Sequence, residues 1–113
     1  MAARHDLQAW TRTTFERRFV WLDENENPVD LTGYEAHLHM RRSGVKEPAV
    51  EASTENEKIS ITPEEGKIEL HLTAEDLNIS SGTYSYDLLL IQGEYKKLLL
   101  YGTFSVSPVV TKP

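Results

Sequence analysis

Cysteine is absent from these 113 residues, so disulfides, thiolate nucleophiles and cysteine metal sites are all excluded. Stability must come from packing and strand pairing. Long apolar runs are missing too: the longest, Leu88 to Ile91 and Leu98 to Tyr101, fall far short of the roughly 18 residues of a membrane span. Met1 to Trp10 contains no apolar secretion-signal core, so synthesis and folding in a cytosol are expected. Positive charge is scarce, with 12 Lys and Arg against 18 Asp and Glu, giving a net charge of -6 and a pI near 5.2. Such a field repels phosphate backbones and anionic lipid, and neither nucleic acid nor a membrane surface is expected as a partner. No serine sits in a glycine-flanked elbow of the kind a nucleophile needs, so no catalytic residue is assigned and no enzyme is expected.

What the chain does contain is alternation. With 39% apolar and 27% charged residues it can build a packed core, and its length suits one domain over 1–113. Tyr34, Ala36, Leu38 and Met40 alternate with Glu35, His37, His39 and Arg41, the period-two pattern of a half-buried strand. Ile59 and Ile61, then Ile68, Leu70 and Leu72, repeat it on either side of Pro63-Glu64-Glu65-Gly66, which predicts a hairpin. Tyr84 to Ile91 and Tyr95 to Tyr101, joined by Gln92-Gly93-Glu94, predict a second hairpin. Gly102 is expected to bulge or bend that last strand before it continues to Val106. The near-continuous apolar stretches of this hairpin read as central strands covered on both faces.

Earlier, Asp6 to Trp10 and Phe15 to Leu22 read as strands, the second at an edge because Arg17 interrupts the face of Phe15, Phe19 and Trp21. A weak strand is expected around Ala49 to Ala52. One short helical turn is expected at Thr73 to Leu77, capped by Thr73 and ended by Ser80-Ser81-Gly82. Seven to eight short strands with frequent turns predict an all-β antiparallel sandwich, immunoglobulin-like, without repeat or linker.

Candidate sites are few. His37 and His39, two apart on one strand face, could bridge a metal, with His71 as a third ligand if its strand pairs nearby, but the same positions are the polar half of alternating strands. Asp23-Glu24-Asn25-Glu26-Asn27 opens like a calcium loop and then fails, with Pro28 where glycine is needed and Tyr34 where a bidentate glutamate is needed. No metal and no cofactor are therefore expected. Arg17-Arg18, Arg41-Arg42 and Lys96-Lys97 read as solubilising or edge-protecting charge. Among the aromatics, Trp10, Trp21 and Tyr34 are the candidates for docking contacts or the adjacent core, because Trp and Tyr are the usual interface anchors.

The run from Phe19 to Arg42, with Asp23-Glu24-Asn25-Glu26-Asn27-Pro28-Val29-Asp30-Leu31-Thr32-Gly33-Tyr34 at its centre, resembles small proteins of tailed-bacteriophage and prophage structural clusters. Gly66 to Asp76, Gly82 to Leu88 and Gly102 to Thr111 are similar to later pieces of the same pattern, so the likeness covers Phe15 to Thr111. The chain departs at Glu26, where that family often carries glycine. The resemblance implies a non-enzymatic virion structural protein with an immunoglobulin-like or baseplate-type module. Its expected place is the tail tip, baseplate or fibre-attachment region. Its implied partners are other virion structural proteins, in multiple copies of a symmetric assembly built in the host cytoplasm. A capsid decoration protein and a carbohydrate- or receptor-binding module are the alternative readings, with an enzyme the remote fourth.

Overall fold

The alternating segments form nine strands in the computed structural model, which describes residues 2–111. They are β1 (Ala3–Arg4), β2 (Leu7–Trp10), β3 (Phe15–Val20), β4 (Glu35–Arg41), β5 (Val50–Ser53), β6 (Ile59–Thr62), β7 (Lys67–Leu72), β8 (Gly82–Gln92) and β9 (Tyr95–Ser107). Met1, Lys112 and Pro113, included in the expected domain, lie outside the described residues. The larger sheet runs β1-β9-β8-β4-β5 with β2 also on β9, and the smaller runs β3-β7-β6. Strand order G-F-C-C′ facing B-E-D is that of a variable-type immunoglobulin sandwich, and β9-β8-β4-β5 facing β3-β7-β6 reproduces it. The expected immunoglobulin-like sandwich is thus the architecture, with more strands than foreseen.

Period-two alternation places the core between the sheets. Ala36, Leu38 and Met40 of β4 and Tyr84, Tyr86, Leu88 and Leu90 of β8 point inward from one side. Ile68, Leu70 and Leu72 of β7 meet them from the other. Burying each large side chain of this kind contributes about 1.5–3 kcal/mol. Phe104 is fully buried and packs its ring 5.0 Å from Phe15 and 6.0 Å from Tyr86, tying the sheets together. The hydroxyl of Tyr84 donates to Ser80 O at 2.6 Å, the tyrosine corner of immunoglobulin-like sandwiches.

The hairpin at Pro63–Glu65 forms as expected, and it holds the helical turn as well. Pro63 fixes φ for one 3-10 turn, and Gly66 ends it at φ 59, where a Cβ would meet Trp21 O at 2.8 Å. Thr73 to Leu77, where a helical turn was expected, is a hydrogen-bonded turn instead. Thr73 and Asp76 cap each other reciprocally, at 2.9 and 3.1 Å, but Leu77 is drawn into the core and the chain leaves the helical path.

Three further expectations are corrected. The outer strand is not antiparallel: β1 and β2 both pair with β9 in parallel, Leu7 beside Phe104 and Ala3 beside Leu100. The bulge in β9 falls at Leu99, between the pairs Leu88/Leu100 and Leu89/Leu98, and not at Gly102, which pairs with Tyr86. Gly102 serves a close approach, since His5 O crosses over it and accepts the Tyr86 hydroxyl. Finally, β8 and β9 are covered on one face only: Leu98 and Tyr101 are exposed on the outer face and Leu89 is half-buried.

Candidate docking surface

The smaller sheet leaves β3 at its edge. Trp21 N–H donates to Gly66 O at 2.9 Å, on the β7 side, and β3 pairs with β7 in the register Phe19/Ile68 and Arg17/Leu70. Backbone groups alternate sides along an antiparallel strand, so Phe15, Arg17 and Phe19 bond β7 while Glu16, Arg18 and Val20 direct N–H and C=O to the open side. Among the described residues nothing bonds those three amides. At six residues β3 is the longest edge strand of either sheet, β1, β2, β5 and β6 having two to four.

Beside this edge the two sheets part. A groove of about 600 Å³ opens between β3 and the β1/β9 side, lined by Phe19, Val20, Trp21, Leu22, Leu99 and Leu100 with Ala3, His5, Arg17 and Arg18. Val20 and Leu22 are half exposed, at 50% and 46%. The His5 ring, also in the groove lining, meets Phe19 edge-on at 6.1 Å. Arg17 belongs to the inward row of β3, yet it escapes to solvent across the open edge and lies over the Phe15 ring at 5.5 Å. The edge position foreseen from Arg17 is what allows this.

Electrostatics sharpen beside the groove, where the segment joining β1 to β2 meets β8 and β9. Burial first and the nearby Asp6 carboxylate second push the Tyr86 phenol up to about 12, against a smaller opposing effect of Arg17. Asp6 itself sits below its ordinary value because the Thr103 N–H donates to it at 3.0 Å, with Arg4 at 3.4 Å as a smaller cause.

Of the three predicted anchors, two meet and one stands apart. Trp21 and Tyr34 are half-buried with ring centroids 6.3 Å apart, Tyr34 continues to Tyr95 at 6.4 Å, and Lys97 lies 5.3 Å over the Trp21 ring. Both therefore serve the core margin, and Trp21 also forms part of the groove wall. Trp10, 57% exposed, pairs with Ser107 at the far end of β9 from Lys97, about 30 Å away by strand rise. Leu22, Leu99 and Leu100 were not singled out from sequence. The available signal was an apolar run, Leu98 to Tyr101, too continuous for a strand with one covered face.

The histidines do not converge. His37 faces Glu35 at 3.7 Å and His39 faces Glu51 at 3.8 Å on the outside of the larger sheet, whereas His71 pairs with Glu16 at 3.2 Å on the smaller sheet. Among the described residues no group of three or more His, Asp or Glu could hold a metal. In the Asp23 loop, Asp23 Oδ1 accepts Asn25 N at 2.8 Å and Asn27 N at 3.0 Å, so this carboxylate braces its own turn. Glu26 takes φ 63, the left-handed conformation that glycine adopts freely. No protein-family model and no curated protein matches the chain.

Proposed function

We propose that the chain is a non-enzymatic structural protein of a tailed-bacteriophage virion, acting at the tail tip, baseplate or fibre-attachment region by docking onto neighbouring proteins. The observation that carries this reading is the six-residue β3 edge, open along its amides and flanked by an apolar groove. An edge of that kind is a template for pairing with another chain, and natural sandwiches normally cover or blunt it. The motifs running in order from Phe15 to Thr111 supply the phage context. Docking here needs no turnover: affinity comes from apolar burial and main-chain hydrogen bonds. Immunodetection in purified, gradient-separated particles, with tails and heads resolved, is the test. The reading expects the chain in the tail fraction at fixed stoichiometry, and presence only in infected-cell lysate defeats it.

Trp10 favours a second reading. A 57% exposed indole on an outer sheet face is a stacking platform for a sugar ring, as a carbohydrate-binding module would use. Glycan binding that disappears in Trp10→Ala supports that reading, and no binding to a broad glycan array removes it.

A further inference from the structure

Resting on the docking reading above, we infer that the β3 edge takes one kind of occupant: an extended segment of a neighbouring protein, apolar on one face and acidic on the other. It adds as a fourth strand to the β3-β7-β6 sheet. The topology explains why the place is vacant. The strand that precedes β3 in the chain, β2, is drawn across to β9 in parallel, so among the described residues nothing satisfies the Glu16, Arg18 and Val20 amides.

An added strand would place every second side chain inward, about 7 Å apart, against Phe19, Trp21 and Leu100. The groove of about 600 Å³ has room for them, given that a cavity of about 150 Å³ accommodates a benzene ring. Charge selects the outward row. The chain carries net -6, and on the outer face Glu16 and Glu69 stand beside Arg18, but no Asp or Glu lines the groove itself, while Arg17, Arg18 and His5 do. Among the described residues neither arginine has a carboxylate within ion-pairing distance. Outward carboxylates on the incoming strand would lie opposite Arg18, and one at the rim would reach Arg17. Edge protection alone accounts for two arginines but not for the half-exposed Val20, Leu22 and Trp21 beside them. A second copy is a poorer occupant, because pairing β3 with β3 would bring the Arg17-Arg18 pair of one copy against that of the other.

The test uses the full chain and two labelled ten-residue probes, alternating Val-Glu and alternating Val-Lys. Fluorescence anisotropy gives affinity, and hydrogen exchange by NMR gives the site. The expected result is saturable binding of Val-Glu, with new protection at the Arg18 and Val20 amides and at least about tenfold weaker binding of Val-Lys. Arg17→Glu with Arg18→Glu should weaken Val-Glu by about tenfold and favour Val-Lys. Val20→Pro removes an outward N–H that β7 does not use and should abolish protection at Arg18. Equal binding of the two probes, protection at β5 or β6 instead, no binding by either, or a dimer sealed through β3 would each overturn the inference. Detection in particles is independent of the probes, so a particle-borne chain that ignores both defeats this inference and leaves the structural role standing.

Discussion

Gly102→Ala should destabilise the chain by about 2–3 kcal/mol, although alanine is the better strand residue. Gly102 has an unremarkable φ and pairs with Tyr86 inside the larger sheet, so backbone strain plays no part. Ordering glycine rather than alanine costs roughly 0.5–1 kcal/mol, and that term alone predicts a gain. Space decides otherwise. A Cβ at 102 would lie 2.6 Å from His5 O and 2.7 Å from Asp6 Oδ1, and ordinary contact begins at 3.4 Å, so the segment joining β1 to β2 must move out by about 0.8 Å. That movement strains the Tyr86–His5 bond, the Thr103–Asp6 bond at 3.0 Å and the His5–Tyr101 bond at 2.8 Å. Overpacking costs about 1–3 kcal/mol and each weakened bond about 1 kcal/mol, which outweighs the entropic gain. Urea unfolding followed by tryptophan fluorescence measures the change, with hydrogen exchange expected to quicken along β1 and β2 first. A Gly102→Ala protein as stable as the parent would show that β1 and β2 do not lie across β9 as described.

Tyr84→Phe removes the bond to exposed Ser80 O and should cost about 1 kcal/mol, lowering Tm by roughly 4 °C in calorimetry. Tyr86 is protonated up to about 12 in the folded chain but only to about 10.0 unfolded, so its stabilisation is complete below pH 10 and is lost as pH rises towards 12. Denaturant midpoints should fall through that window, and less steeply in Tyr86→Phe. Asp76 is raised by partial burial, but the bonds from Lys58 Nζ and the Thr73 N–H outweigh it and hold the carboxyl below 3.8. Its contribution is therefore present above about pH 4 and lost as pH falls through the depressed value, so Asp76→Asn should cost about 1–2 kcal/mol at pH 7 and flatten the acid limb of a pH–stability curve. Glu26→Gly should stabilise by about 0.5–1 kcal/mol in urea titration, by relieving the left-handed φ of 63.

Much of the fold is legible in the sequence because a sandwich writes its core with period two. Ala36, Leu38 and Met40, or Ile68, Leu70 and Leu72, announce both a strand and its buried face. Partners distant in sequence leave no such local trace. Leu7 lies beside Phe104, and neither residue's neighbours record the other or the parallel direction. Local propensity misplaced the helical turn: Thr73 and Asp76 do cap, but burial of Leu77 overrides the helix, whereas Pro63 and Gly66 close one tightly. The apolar run Leu98 to Tyr101 suggested two covered faces, but the bulge at Leu99 puts Leu98 on the outer face and Leu100 on the inner one, and the outer face stays open. Of the candidate surface, Trp21 and the edge character of β3 were visible through composition and the misplaced Arg17. The groove was not, because it arises where two sheets separate.

Residue-resolved amide exchange of the unliganded chain along β3 tests the open edge most directly. Phe15, Arg17, Phe19 and Trp21 should exchange slowly and Glu16, Arg18 and Val20 fast, in strict alternation. Uniform protection of all seven amides would mean that another strand already covers β3, and the docking surface described above would not exist.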